Sequence, residues 1–197
     1  MTELTYENVQ KMIAALVDLH DETGRFMNSY ENTFLNNSQA ATEFEAFADQ
    51  ESVRTVFAQG SIQIEVAADH LMALRKALSE PAQTIAPWSC TRSVLEASAI
   101  SAWLFDPQIS IMERVQRSFA FRFEGLRQQS KFGDVINATT EVAKVNTRID
   151  DVEQKAIGLG FPSVLDRRGR RIGIGQQMPS ITKSGAVFYW DLTFNAP

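Results

Sequence analysis

The chain has 197 residues, 44% hydrophobic, 22% charged and 10% aromatic, the composition of one globular domain or at most two small ones, which excludes disordered, collagen-like and disulfide-scaffold proteins. With Cys90 the only cysteine and His20 and His70 the only histidines, no internal disulfide and no metal site are expected, and nothing calls for a cofactor. The net charge of -5 is unevenly spread, residues 1–70 carrying -9 and the remainder +4: this suits solvated helix faces, or an acidic half meeting a basic half within one chain or between two copies.

Apolar residues recur at threes and fours and strand-like alternation is almost absent, so the sequence predicts an all-α bundle of five to six helices. A first helix is expected over residues 5–24, extending as far as Leu35, with Val9, Ile13, Leu16 or Val17 and His20 on one stripe. Asp18, His20, Asp21 and Glu22 are metal-ligand types, but they lack the Glu-x-x-His pairs of di-iron bundles and suit a polar helix end. Asn36, Asn37 and Ser38 break and recap the chain. A second helical region, 38–80, carries Phe44, Phe47, Val53, Phe57, Ile64, Leu71 and Leu74, with Gly60-Ser61 as a kink or short connection and Pro81 as its end. On it His70 suits a hydrogen-bonded boundary histidine better than a catalytic one.

A third helix is expected from Pro87, whose ring fits a first turn, to the Asp106-Pro107 step, because a residue before proline leaves the α region. Between Ser93 and Phe105 its only charge is Glu96. That predicts a central helix buried on every side, whose small residues Ala97, Ser98, Ala99, Ser101 and Ala102 admit close neighbours. A carboxylate buried there requires a partner. Arg92 stands one turn earlier and Trp103 two turns later, and Arg75, Arg114 and Arg117 are further cations that could reach inward. With His70 these residues form a candidate buried polar network. Such a network can be a ligand site with acid–base and anion-clamping groups, or an ion pair that fixes helix register. No second carboxylate follows at helical spacing, so a glycosidase-like acid pair is unsupported.

Ser110 is placed to cap a long fourth helix with Val115, Phe119, Phe123 and Leu126 on its apolar side. Gly133 is a point of interruption before a more polar segment, 135–157, read as exposed or partner-facing. On it Asp150, Asp151 and Glu153 read as a solvated face. Residues 163–176 are too glycine-rich for a helix and predict a small β-hairpin or ordered loop. There Arg167, Arg168, Arg170 and Arg171 surround Gly169 as a candidate contact for an anion or a protein partner, and Arg114, Arg117, Arg122, Arg127 and Lys131 make a second, sparser basic footprint. Gly173-Ile174-Gly175 fits no phosphate-loop pattern. Residues 179–197 are expected to form a C-terminal helix. Its apolar Val187, Phe188, Tyr189, Trp190, Leu192 and Phe194 run to Pro197 without a cap, so the segment packs into the bundle or against another chain, or the native protein continues beyond it. The expected organisation is a single domain: bundle 1–160, loop or hairpin 161–178, C-terminal helix 179–197.

The run Ala68-Asp69-His70-Leu71, then Pro87-Trp88-Ser89, Arg92, Leu95-Glu96, Trp103-Leu104, Asp106-Pro107 and Arg114-Val115, resembles a group of bacterial all-helical proteins that is in turn similar to HEPN-type bundles. Many HEPN bundles are ribonucleases or toxins of bacterial conflict systems. The resemblance implies an arginine and a histidine a few residues apart on a late helix; Tyr189-Trp190-Asp191 stands there instead and no histidine follows, so the chain departs from the family at its active site. The expected function is therefore a non-catalytic interaction or regulatory bundle that pairs with itself as a homodimer or with another protein. The alternative is a HEPN-like ribonuclease or toxin component whose catalytic end is missing or replaced. A pI of 5.1 argues against a general nucleic-acid binder. No stretch reaches the roughly 18 apolar residues of a membrane helix, and acids stand where a signal peptide would have a basic start, so a cytoplasmic protein without a membrane partner is expected.

Overall fold

The computed structural model describes residues 5–28, 34–79 and 81–179. Among them are six helices and one two-stranded sheet: α1 (Tyr6–Asn28), α2 (Gln39–Ala46), α3 (Gln50–Leu78), α4 (Ala86–Phe105), α5 (Ile111–Val135) and α6 (Thr139–Gly158), followed by β1 (Ser163–Leu165) and β2 (Arg171–Ile174). The protein is an all-α bundle with a small hairpin. None of the described helices is long and apolar enough to cross a membrane. The expected C-terminal helix lies outside the described residues.

The second helical region breaks earlier than the sequence suggested. Its interruption falls at residues 47–49, and α3 runs unbroken through Gly60-Ser61. Two causes account for this, one local and one tertiary. The Asp49 carboxylate, just ahead of α3, accepts a hydrogen bond from Ser52 Oγ at 2.6 Å, which favours a helix start at that point. Gly60 lies directly beneath the Phe105 ring, where a Cβ would collide. The glycine is there for close approach and not for flexibility.

The chain packs as two compact units. One holds the described residues up to Thr42 together with Phe57–Phe105; the other holds Glu43–Val56 and the described residues from Asp106 onward. In the first, Phe57 is sandwiched between Phe34 (centroids 5.2 Å apart) and Phe105 (5.7 Å). Its core is built by Ala67, Leu71, Leu74 and Ala77 of α3 and Ala97, Ile100, Trp103 and Leu104 of α4. Helix α1 is amphipathic, yet none of its residues is fully buried; the Val9, Ile13, Leu16, Val17 and His20 stripe is half-buried.

In the second unit, Ser110 caps α5 as expected, its hydroxyl accepting from Glu113 N–H at 3.2 Å. Helix α5 passes through Gly133 and turns into α6 across Asn137, which takes the left-handed φ of 57°. A Cβ on Gly133 would meet Val142 of α6, so the helical hairpin closes tightly at that point. The more polar α6 buries Val145, Ile149, Val152 and Ala156, one stripe at helical spacing, and leaves its other faces in water.

Candidate functional site

The residues expected to form one buried network separate into different environments. His70 and Arg75 are half-buried on α3; Trp103 is buried on α4; Arg114 and Arg117 belong to α5 in the other unit. Arg92 and Glu96 do pair, Nε to Oε1 at 2.7 Å, but their side chains are 75% and 35% exposed. This corrects the expectation of a buried carboxylate, and the reason is geometric. A helix with few charges can still be buried on one side only, and α4 buries Ala97, Ile100, Ser101 and Leu104 while Trp88, Leu95, Ser98 and Ala102 face outward. Glu96 therefore reaches solvent and finds its own i-4 arginine.

The buried ion pair lies elsewhere. Arg114 is 2% exposed and meets Glu43 with two hydrogen bonds, Nε–Oε2 at 2.9 Å and Nη2–Oε1 at 3.2 Å; Nη2 also donates to the Asp106 carbonyl at 2.9 Å. This fork-on-carboxylate geometry suits arginine and satisfies both partners. Arg117 extends the cluster with Glu113 at 2.7 Å and Asp106 at 3.4 Å. Glu43 escaped the sequence reading because its partner is 71 residues away and α2 has no pattern that marks a buried acid. Arg114, by contrast, is among the cations that the sequence marks as able to reach inward.

The basic features are largely neutralised by their own chain. Of the footprint on α5, Arg114 and Arg117 are paired as above and Arg127 pairs with Glu124 at 2.7 Å. The glycine-rich segment is a hairpin, β1 antiparallel to β2. In its turn Gly169 N–H donates to the Asp166 carbonyl, and Gly169 takes a φ of 75°, the three-residue turn that an Asp-x-x-Gly sequence favours. Asp166 organises it: one carboxylate oxygen accepts from the N–H groups of Arg168 and Arg170 at 2.8 and 2.9 Å, the other from Arg170 Nε at 2.7 Å. The Arg170 N–H and guanidinium hold this carboxyl below the usual carboxylate range.

Arg171 turns back to α6, binding Glu153 and, at 3.1 Å, Asp150, with its guanidinium over the Phe123 ring at 5.9 Å. Ser163 Oγ donates to the same Glu153. The acidic segment read as solvated is thus partly a dock for the hairpin. Within the hairpin only Arg167 and Arg168 project without an ion-pair partner among the described residues, and on α5 Arg122 and Lys131 do so, so neither footprint gathers a dense phosphate-binding patch. Among the described residues no group of three or more His, Cys, Asp or Glu is placed to hold a metal ion.

Among the described residues of the first unit, a groove of about 320 Å³ lies between α1, α3 and α4. Leu19 and Thr23 form one wall and Ile64, Ala67 and Leu71 the floor. Val94, Ser98, Ser101 and Ala102 of α4 close it, so its lining is uncharged. It opens beside the outward face of α4. Compared with protein-family models, with curated proteins and with solved structures, the chain has no match in any of the three.

Proposed function

We propose that this protein is an interaction module that self-associates through its helical surface. The observation that carries the reading is an exposed, uncharged stripe on the outer side of α4 beside the groove, flanked by Arg92 and Glu96: Trp88 is 78% and Leu95 43% exposed, and neighbouring Ile85 is 77% exposed. Single exposed apolar residues are ordinary, but a tryptophan, a leucine and an isoleucine on or beside one helix face, next to an apolar recess, are the makings of an interface core. Tryptophan is also the side chain that most often anchors such contacts. The polar clusters elsewhere act within the chain: Arg114–Glu43 joins two segments far apart in sequence, and Glu153–Arg171 fastens the hairpin. Sedimentation velocity over a range of concentrations tests the reading. A mass rising toward a closed oligomer supports self-association, and a single 22.0 kDa species at every concentration rejects it.

A further inference from the structure

Resting on that reading of self-association, we infer that the outer stripe of α4 docks antiparallel on the same stripe of a second copy, about a two-fold axis at Leu95. The stripe is Trp88, Thr91, Leu95, Ser98 and Ala102, all exposed, at alternating spacings of three and four. That is the seam of a helix pair, in which side chains interlock at a shallow crossing angle. The stripe carries no charge, so its burial strands no ion.

Its order of sizes makes it self-complementary. Leu95 stands midway, with Trp88 seven residues before it and Ala102 seven after. An antiparallel pairing centred on Leu95 sets Leu95 against Leu95, Thr91 close to Ser98, and the large indole of Trp88 against the small Ala102 at both ends. Ala102 is also a wall of the α1–α3–α4 groove, so each indole meets a recess. A parallel pairing would stack Trp88 on Trp88 and Ala102 on Ala102, with a collision at one end and a gap at the other.

The charges at the edge of the stripe match the same arrangement. Arg92 and Glu96 flank it on one side. A two-fold axis perpendicular to antiparallel helices brings those flanks to the same edge of the seam. At 1.5 Å rise per residue, Arg92 of one copy is then offset from Glu96 of the second copy by about 3 Å along the axis. Each arginine can share the two carboxylates, and the four groups form a neutral cluster at the rim, which fixes register more than it adds affinity. A parallel pairing places the flanks on opposite edges and loses this exchange.

The test is disulfide trapping in the full chain with Cys90→Ser, which removes the only native thiol, alongside sedimentation of the parent. Leu95→Cys is expected to form a covalent dimer as its main product under mild oxidation, whereas Gln154→Cys, on the exposed side of α6, stays a single chain. Trp88→Cys and Ala102→Cys are expected to cross-link when mixed and not when oxidised separately. A parent that sediments as a dimer while Leu95→Cys cross-links no better than Gln154→Cys would overturn the α4 pairing and leave self-association standing. Cross-linking of Trp88→Cys with itself would overturn the antiparallel order. A parent that sediments as one chain would reject both.

Discussion

Arg114 and Glu43 form the interaction with the most to lose at the residue scale, because both charges have left water and each depends on the other. Replacing such a pair by apolar residues can be neutral, but removing one partner leaves a stranded ion. Glu43→Ala should therefore cost about 3 kcal/mol or more in urea unfolding, and Glu43→Gln less, since the amide can still accept from the guanidinium. Glu96→Ala should leave the unfolding midpoint nearly unchanged, as Glu96 belongs to an exposed pair along one helix. The contrast shows what the sequence could reveal. A lone acid in an apolar helix marks Glu96 for attention, but exposure depends on which side of α4 faces the core, and composition is silent on that.

Asp49 adds a dependence on pH. The hydrogen bond from Ser52, supported by Lys155 at 3.3 Å, holds its carboxyl below the ordinary value of 3.8 despite an opposing push from burial. A group whose folded pKa is depressed stabilises the fold above its unfolded pKa and loses that contribution as pH falls through the folded one. Stability should thus drop as the solution is acidified from 3.8 downward, and Asp49→Asn should flatten that part of the profile. Midpoints of urea unfolding against pH, for parent and variant, measure it.

At the scale of elements, proline and cap signals were legible and glycine signals were not. Pro87, the Asp106-Pro107 step and Ser110 bound α4 and α5 almost as expected, since each acts through local backbone sterics or a local hydrogen bond. Gly60 and Gly133 suggested interruption and instead sit inside helices, where a tertiary neighbour occupies the space of their missing side chains. This predicts that Gly60→Ala destabilises although alanine is the better helix former by about 1 kcal/mol. The Phe105 ring cannot yield without losing its stack on Phe57, and overpacking of this kind costs about 1–3 kcal/mol. Thermal melts of Gly60→Ala, Phe105→Leu and the double variant should show the second change relieving part of the first. Equal stability of Gly60→Ala and the parent would mean that Phe105 moves freely. The hairpin followed from Asp166 and Gly169 in sequence, but its docking through Glu153 and Arg171 links residues 18 apart and emerges only in three dimensions.

For the whole molecule, the all-α class was readable because helical periodicity persists through most of the chain. The division into two units was not, since each is assembled from separated stretches of sequence. The candidate site changed character between sequence and structure. The α4 segment was singled out for its near absence of charge; its inner side builds a core, and its outer side is where we place association. A polar residue on that seam would meet water in the single chain and the opposing apolar seam in the pair, so Leu95→Asp should dissociate the assembly without unfolding the subunit. Light-scattering masses of the parent and Leu95→Asp at equal micromolar concentration, with circular dichroism to confirm the fold, test this most directly. The expected result is a parent near twice the 22.0 kDa chain mass and a variant at one chain mass with an unchanged helical spectrum; equal masses for the two folded proteins would contradict association through α4.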